Sequence, residues 1–330
     1  MQTSIPISVL DLAVIREGDN AAGAIATTVR MAQHAEQEGF KRFWLAEHHN
    51  MPSIASIATD LLIARVADKT QHIRVGSGGI MLPNHSPLSV AESFGTLDTL
   101  YPSRIDLGLG RAPGTDGATA MALRRNFASM HYDFKANIEE LQHYMSTTNT
   151  SPVRAYIAEG ADVPLWILGS STDSAYLAAE MGLPYAFASH FAPAHLTAAI
   201  AIYKQHFQPS EVLQQPYMIA CVNVIGGETD DEAQALATSL YQLFKGIFTN
   251  SRRPLQPPVK TISEVLNPEE LAALQQMVYY TFMGSKETLS RSLSGFVAQS
   301  GIDELMVTSY IYDIDKRLRS LSIVKEALAI

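Results

Sequence analysis

The chain has 330 residues, of which 47% are apolar and 17% charged, and it carries a formal net charge of −9 at pH 7. This composition suffices for a sizeable core, and an acidic balance without clustered Lys and Arg argues against a nucleic-acid partner. One cysteine, Cys221, precludes an intrachain disulfide, no apolar run reaches the ~20 residues of a membrane-spanning helix, and the N-terminus lacks a signal-peptide pattern, so the expectation is a soluble, cytoplasmic protein with no membrane association.

Short β-rich runs alternate with longer segments of helical period, the pattern of βα units around a parallel sheet. The first strand lies near IPISVLDL, and the helix after it places Ile25, Val29, Ala32 and Ala35 on one stripe before Gly39, a natural C-cap. RFWLA is the second strand, a helix from about Ala55 to Ala67 follows, and HIRVGSGGIML is the third. The next helix opens at Pro87 and carries Val90, Phe94, Leu97 and Tyr101 at helical spacing. RIDLGLG is the fourth strand, followed by a Gly- and Pro-containing loop and a helix through Asn137 to Met145.

PLWILG is the fifth strand, and its helix, with Ala175, Leu177 and Ala178, closes at Gly182. PYAFAS and YMIACVNVI are the sixth and seventh, separated by a helix from about Ala194 to His206. After a helix from Asp230 to Phe248, prolines break the period from Thr249 to about Met283. The eighth unit then resumes with a helix from Ser285 to Ser300, the strand ELMVTSY, and a last helix holding Ile314, Leu318, Leu321, Val324 and Leu328. Eight such units predict an α/β fold, a single (β/α)8 TIM barrel domain over 1–330 with an insertion before the eighth strand. A long irregular segment in a compact domain is commonly a lid, which makes 249–283 a lid candidate.

In such a barrel, side chains just past the carboxyl ends of the strands face the ligand-binding mouth. The ends collect Asp11, Glu47, His48, Gly78, Gly79, Arg111, Ser170, Ser171, Ser189, His190, Asn223, Tyr310 and Tyr312. Glu47 and His48, where an apolar strand runs into titratable groups, are the candidates for chemistry. GSSTDS, residues 169–174, leaves a strand and opens a helix, which suits an anion such as a phosphate, with Arg111 able to supply a fork of donors; an ordinary hydroxyl-rich helix cap is the competing reading.

Gly76, Gly78 and Gly79 inside a strand call for close approach of a flat ring, a bulge or a strained peptide, or else a tight barrel position. GLGRAPG has the wrong spacing for a dinucleotide fingerprint, and GxxxxGK[ST], HExxH and GxSxG are absent. His48 and His49 are adjacent and splay apart, so no metal site is expected.

WLAEHHN, VGSGGIMLPNHSPLSVAESFGTLDTLYPSRIDLGLGRAPGTD, PLWILGSSTDSAYLAAEMGLP and GSKETLSRSLSGFVAQSGIDELMVTSY, in this order, resemble the bacterial luciferase-like flavin-dependent monooxygenases. The resemblance implies a (β/α)8 barrel that takes reduced FMN as co-substrate from a separate flavin reductase. It then reacts with O2 through a C4a-peroxyflavin to oxygenate a small organic substrate. His48 matches a catalytic histidine and Glu47 the adjacent flavin-site carboxylate. Gly78 and Gly79 match a cis, non-proline peptide against the flavin ring. Arg111, Ser170, Ser171 and Ser174 match the phosphate-binding set. Gly110 stands where luciferases carry a reactive cysteine, so luminescence does not follow.

A deazaflavin- or FMN-dependent hydride transfer, or flavin binding without catalysis, is the alternative. Family members are often homodimers, and the helix over 87–101 is a natural surface for a two-fold axis. Met81, Leu82, Phe191, Tyr279 and Phe282 are candidates to line an apolar substrate cavity.

Overall fold

The computed structural model describes residues 5–123 and 133–328. Its elements run β1 (Ile7–Asp11), α1 (Ala21–Gln37), β2 (Arg42–Leu45), α2 (Thr59–Asp68), β3 (Arg74–Met81), α3 (Pro87–Leu100), β4 (Ile105–Gly110), α4 (Gly117–Leu123) and α5 (Phe134–Met145). They continue with β5 (Leu165–Gly169), α6 (Thr172–Glu180), β6 (Tyr185–Phe187), α7 (Leu196–His206), β7 (Met218–Gly226), α8 (Asp230–Phe248), α9 (Pro268–Met277), β8 (Thr281–Gly284), α10 (Lys286–Ser300), β9 (Glu304–Thr308) and α11 (Ile314–Leu328).

All pairings between these strands are parallel, and β1 through β7 are joined in sequence order, with β9 between β7 and β1. Those eight strands close a (β/α)8 barrel. The eighth stave is β9, the ELMVTSY strand of the sequence reading. The strand β8 lies outside the ring and pairs only with the upper part of β7, Asn223–Gly226 against Thr281–Gly284. The nine residues of β7 make room for both neighbours, β9 along its lower part and β8 along its upper part.

Alternation along each strand sorts side chains into two cores. Ile7, Val9, Phe43, Leu45, Ile105, Leu107, Leu305 and Val307 point outward against the helices. Leu10, Trp44, Trp166, Ile219, Cys221 and Met306 belong to the inner cluster. The helices meet the outer layer by short apolar stripes, and some begin on a capping side chain. Ser86 accepts from Ser89 N ahead of Pro87 at the start of α3, and Asn20 accepts from Gly23 N at the start of α1. After α1 the chain turns at Gly39 with φ +71°, a conformation that suits glycine.

At the amino-terminal end the barrel is closed by a buried ionic knot. Arg42 reaches Asp106 at 2.8 Å and Glu304 at 2.7 Å, Arg74 reaches Asp106 at 2.7 Å, and Trp44 Nε1 donates to Asp106 at 3.0 Å. Tyr217 donates to Glu304 at 2.8 Å, and Ser8 also donates to it. With its floor occupied in this way, the barrel opens to ligands at the carboxyl-terminal end.

The segment 249–283 is only partly irregular. Asn267 and Glu270 form a capping box in front of α9, with Pro268 at the first helical position, and β8 follows. Leu255, Leu266, Leu274 and Val278 are buried in the inner cluster. Leu255 is also fixed to the loop after β1, its N–H donating to Ile15 O and its carbonyl accepting from Glu17 N, both at 2.8 Å. Among the described residues no helix is long and apolar enough to cross a membrane.

Candidate active site

The carboxyl ends of β2, β3 and β4 form one wall of the mouth. Between Ser77 and Ile80 the β3–β4 register shifts, and the Gly78–Gly79 peptide is cis. No side chain fits there: a Cβ on Gly79 would lie 2.5 Å from Gly108 O, and one on Gly78 would lie 2.6 Å from Leu10 Cδ1. The wall is therefore bare backbone, with Gly108 and Gly110 beside it on β4. At Gly110 the space a side chain would take is already filled, since a Cβ would lie 2.7 Å from both Sδ and Cε of Met81. A thioether thus occupies the place where the resemblance expects a thiol.

Glu47, at the end of β2, is 1% exposed and fully engaged. It accepts from Met81 N at 2.9 Å and Asn84 Nδ2 at 3.1 Å, and it meets Nε2 of His49 and of His85, each at 2.9 Å. Burial pushes its pKa up, but the hydrogen bonds and charge of His85, with His49 and the Met81 amide, outweigh that and hold the carboxyl below its usual range. Glu47 is an ionised clamp between the ends of β2 and β3.

His48 points the other way. Its Nδ1 faces Gly114 O at 3.4 Å, and since a carbonyl only accepts, Nδ1 carries the proton and Nε2 keeps its lone pair. Burial lowers its pKa, so the ring is neutral near pH 7; the charge of Arg252 acts in the same direction. His190, after β6, lies close enough to His48 for their charges to interact. It is 5% exposed, burial pushes its pKa down to about 3, and its Nδ1 has no hydrogen-bond partner among the described residues. Below it Asn223 donates to His190 O at 2.6 Å while its own Oδ1 is unpartnered among those residues.

The adjoining part of the rim, after β5, is the start of α6. Ser171 occupies the N-cap position without a side-chain capping bond, leaving the first-turn N–H groups of α6 facing outward with Ser170 and Ser171 beside them. Arg111, half exposed, reaches this turn, its Nη2 3.4 Å from Asp173 Oδ2. Ser174 differs from its neighbours: its hydroxyl lies 2.7 Å from Ser171 O and 2.8 Å from the Tyr185 hydroxyl, so it braces the turn from behind.

The structure thus gathers Glu47, His48, Gly78 and Gly79 at one wall and Arg111, Ser170, Ser171 and Ser174 at the adjoining rim. Asp11 and Tyr312 belong to neither. Asp11 pairs with Arg317 of α11 at 2.9 Å, and the Tyr312 hydroxyl donates to Glu17 O. Of the apolar residues expected around a substrate, Leu82 sits in the outer core, Phe282 packs on Phe296 and Tyr279 is 71% exposed. Sequence reasoning missed Asn84 and His85 as partners of Glu47. The only signal was a run of polar residues, PNHS, directly after the third strand.

Comparison with known proteins agrees with this fold. The family described as luciferase-like monooxygenase matches residues 5–280. A luciferase-like monooxygenase of Escherichia coli is 44% identical over 98% of both chains. The N-acetyl-S-alkylcysteine monooxygenase of Bacillus subtilis is 39% identical over 56% of this chain and 57% of its own. Among solved structures, apo-MsnO8 superimposes with a TM-score of 0.92 at 34% identity, covering 98% of each chain.

The same fold recurs at 16% identity and TM-score 0.72 in the oxygenating constituent of 3,6-diketocamphane monooxygenase from Pseudomonas putida, solved with FMN, covering 98% of each chain. It recurs again at 15% identity and TM-score 0.68 in an F420-dependent secondary alcohol dehydrogenase, covering 99% of each chain. The chain belongs to the luciferase-like monooxygenase family.

Proposed function

We propose that this protein is the oxygenase component of a two-component monooxygenase, taking reduced FMN from a separate reductase and oxygenating a small organic substrate. The observation that carries this reading is the pairing of a side-chain-free wall at Gly78–Gly79 with an uncapped helix start beside Arg111. A flat tricyclic ring fits against the first, and a phosphate monoester fits the second. The FMN-bound relative in the same fold, described as an oxygenating constituent, supports both the cofactor and the separate reductase.

Bound reduced flavin would supply the two electrons that activate O2; the protein's share is position and protons. Arg111, Ser170, Ser171 and the first-turn amides of α6 would hold the phosphate. Ser174 and Tyr185 keep that turn in shape. Glu47 fixes the β3 end, where the bare wall begins, by accepting from Met81 N. His48, neutral and with no hydrogen bond at Nε2 among the described residues, can take a proton at the reacting face and return it, and its lowered pKa keeps it in the accepting form near pH 7.

The test is His48→Ala: FMN affinity should persist while turnover falls by about 10²–10⁴-fold, the usual contribution of a positioned acid or base. Unchanged turnover would remove His48 from the chemistry. One observation favours a second reading, hydride transfer with a deazaflavin: an F420-dependent dehydrogenase has the same fold. Titration with F420 against FMN separates the two. A homodimer is part of the proposal, with Ile57, Leu61 and Leu100 exposed at and beside α2 and α3.

A further inference from the structure

Met81, the last residue of β3, stands in register with Gly110, the last residue of β4, and leans over it. Its Sδ and Cε lie 2.7 Å from the place a Cβ on Gly110 would take, and its Cγ and Sδ lie 3.0 and 3.6 Å from the corresponding place at Gly114. Two glycines thus leave a slot at the rim that a thioether fills, directly beside Arg111 in the sequence. His48 borders the same loop residue, its Nδ1 3.4 Å from Gly114 O. The sulfur therefore sits at the glycine wall, on the side of the mouth that carries His48.

A methionine that only fills a gap in a core is shielded from solvent, as Met31, Met218 and Met306 are here, each at most 2% exposed. Met81 is half-buried instead. Its main chain is also held: the Met81 N–H donates to Glu47 Oε2 at 2.9 Å, and that carboxylate is clamped in turn by His49 and His85. A small oxidant in the mouth can meet the sulfur, and the backbone beneath it is not free to retreat.

We infer that Met81 is an oxidation site that closes the flavin site when peroxide forms there. This rests on the oxygenase reading, in which the electrons of reduced flavin reach O2 at the glycine wall. With no substrate to take the oxygen, O2 accepts two electrons and two protons and leaves as hydrogen peroxide. A lone pair of Sδ attacks one peroxide oxygen, the O–O bond breaks as the S–O bond forms, and the departing hydroxide takes the proton shed by the transferred oxygen. The products are methionine sulfoxide and water; sulfur has lost two electrons and the peroxide has gained them. The added oxygen makes an apolar side chain polar and larger. With Gly110 and Gly114 close on two sides and the main chain fixed, it must project over the wall that the flavin ring needs. Flavin affinity then falls until a methionine sulfoxide reductase restores the thioether, so turnover without substrate shuts itself off.

The test exposes the protein to reduced FMN and air without substrate, with catalase in the solution, and follows oxygen uptake, FMN affinity and the mass of each methionine-containing peptide. Catalase removes peroxide that escapes to bulk solvent, so Met121, 55% exposed, reports any oxidation from outside. Met81 should gain one oxygen atom while Met121 stays unmodified. FMN affinity should fall at least about tenfold, as expected for a polar group set against an apolar contact, and recover after treatment with methionine sulfoxide reductases. Met81→Leu, which cannot form a sulfoxide, should show the same FMN affinity before and after exposure, and Met81→Gln should bind FMN more weakly than the unaltered protein with no exposure at all. Oxygen uptake with Met81 left unmodified, equal modification of Met81 and Met121, or FMN affinity unchanged by oxidation of Met81 would overturn the inference. If the unaltered protein neither binds FMN nor takes up oxygen, it is the oxygenase reading that fails, and the inference falls with it.

Discussion

His85 Nε2 sits 2.9 and 3.0 Å from the two carboxylate oxygens of Glu47, joining the turn after β3 to the end of β2. With His49, Asn84 and Met81 N also engaged, the carboxylate is a structural bridge under the bare glycine wall and not an open base. Glu47→Gln places an amide donor against existing donors and removes the charge. It should cost about 1–3 kcal/mol of stability, the usual penalty for stranding buried hydrogen-bond partners, read as a lower urea midpoint. Full stability together with lost turnover would instead assign Glu47 a direct chemical role.

Burial of His190 sets a pH dependence. Its pKa in the folded chain is about 3, against ~6.5 when unfolded, so on acidification the unfolded chain takes up the proton first. The stabilisation is complete above about pH 6.5 and declines at up to about 1.4 kcal/mol per pH unit as the pH falls toward 3. Between pH 6.5 and 5 the native protein should therefore lose up to about 2 kcal/mol more stability than a His190→Asn variant. Parallel losses in the two proteins would contradict the assignment.

At the far end of the barrel, Asp106 holds Arg42, Arg74 and Trp44. Asp106→Ala leaves the buried Arg42 with one partner fewer and Arg74 without its ion pair, and should destabilise by about 3–5 kcal/mol, a large share of a typical domain's stability. Because the floor is remote from the mouth, FMN affinity of the folded fraction should be unchanged. Calorimetric unfolding alongside flavin titration checks both halves of the expectation.

Much of the barrel was legible because its period is local. Pro87 with Val90, Phe94 and Leu97 marked α3, and Asp230–Phe248 marked α8. The strand-to-helix turn at residues 169–174 was readable for the same reason, since GSSTDS carries both the end of β5 and the start of α6. The strand β8 was not, because four residues in a proline-broken stretch carry no period and their pairing depends on the overhang of β7. The helix α9 had a readable start in Asn267, Pro268 and Glu270, which the surrounding prolines obscured. The clamp on Glu47 and the approach of His190 to His48 span 38 and 142 residues of sequence, distances over which no local pattern reports a contact.

The account depends on the bare wall and the open helix start acting on one ligand. Anaerobic titration of the protein and of its Arg111→Ala variant with reduced FMN tests this directly. The native protein should bind, and the variant at least about tenfold more weakly, as expected for a lost charge-assisted contact to phosphate, while riboflavin, lacking the phosphate, should not distinguish the two. No uptake of reduced FMN by the native protein, or equal affinity in the variant, would contradict it.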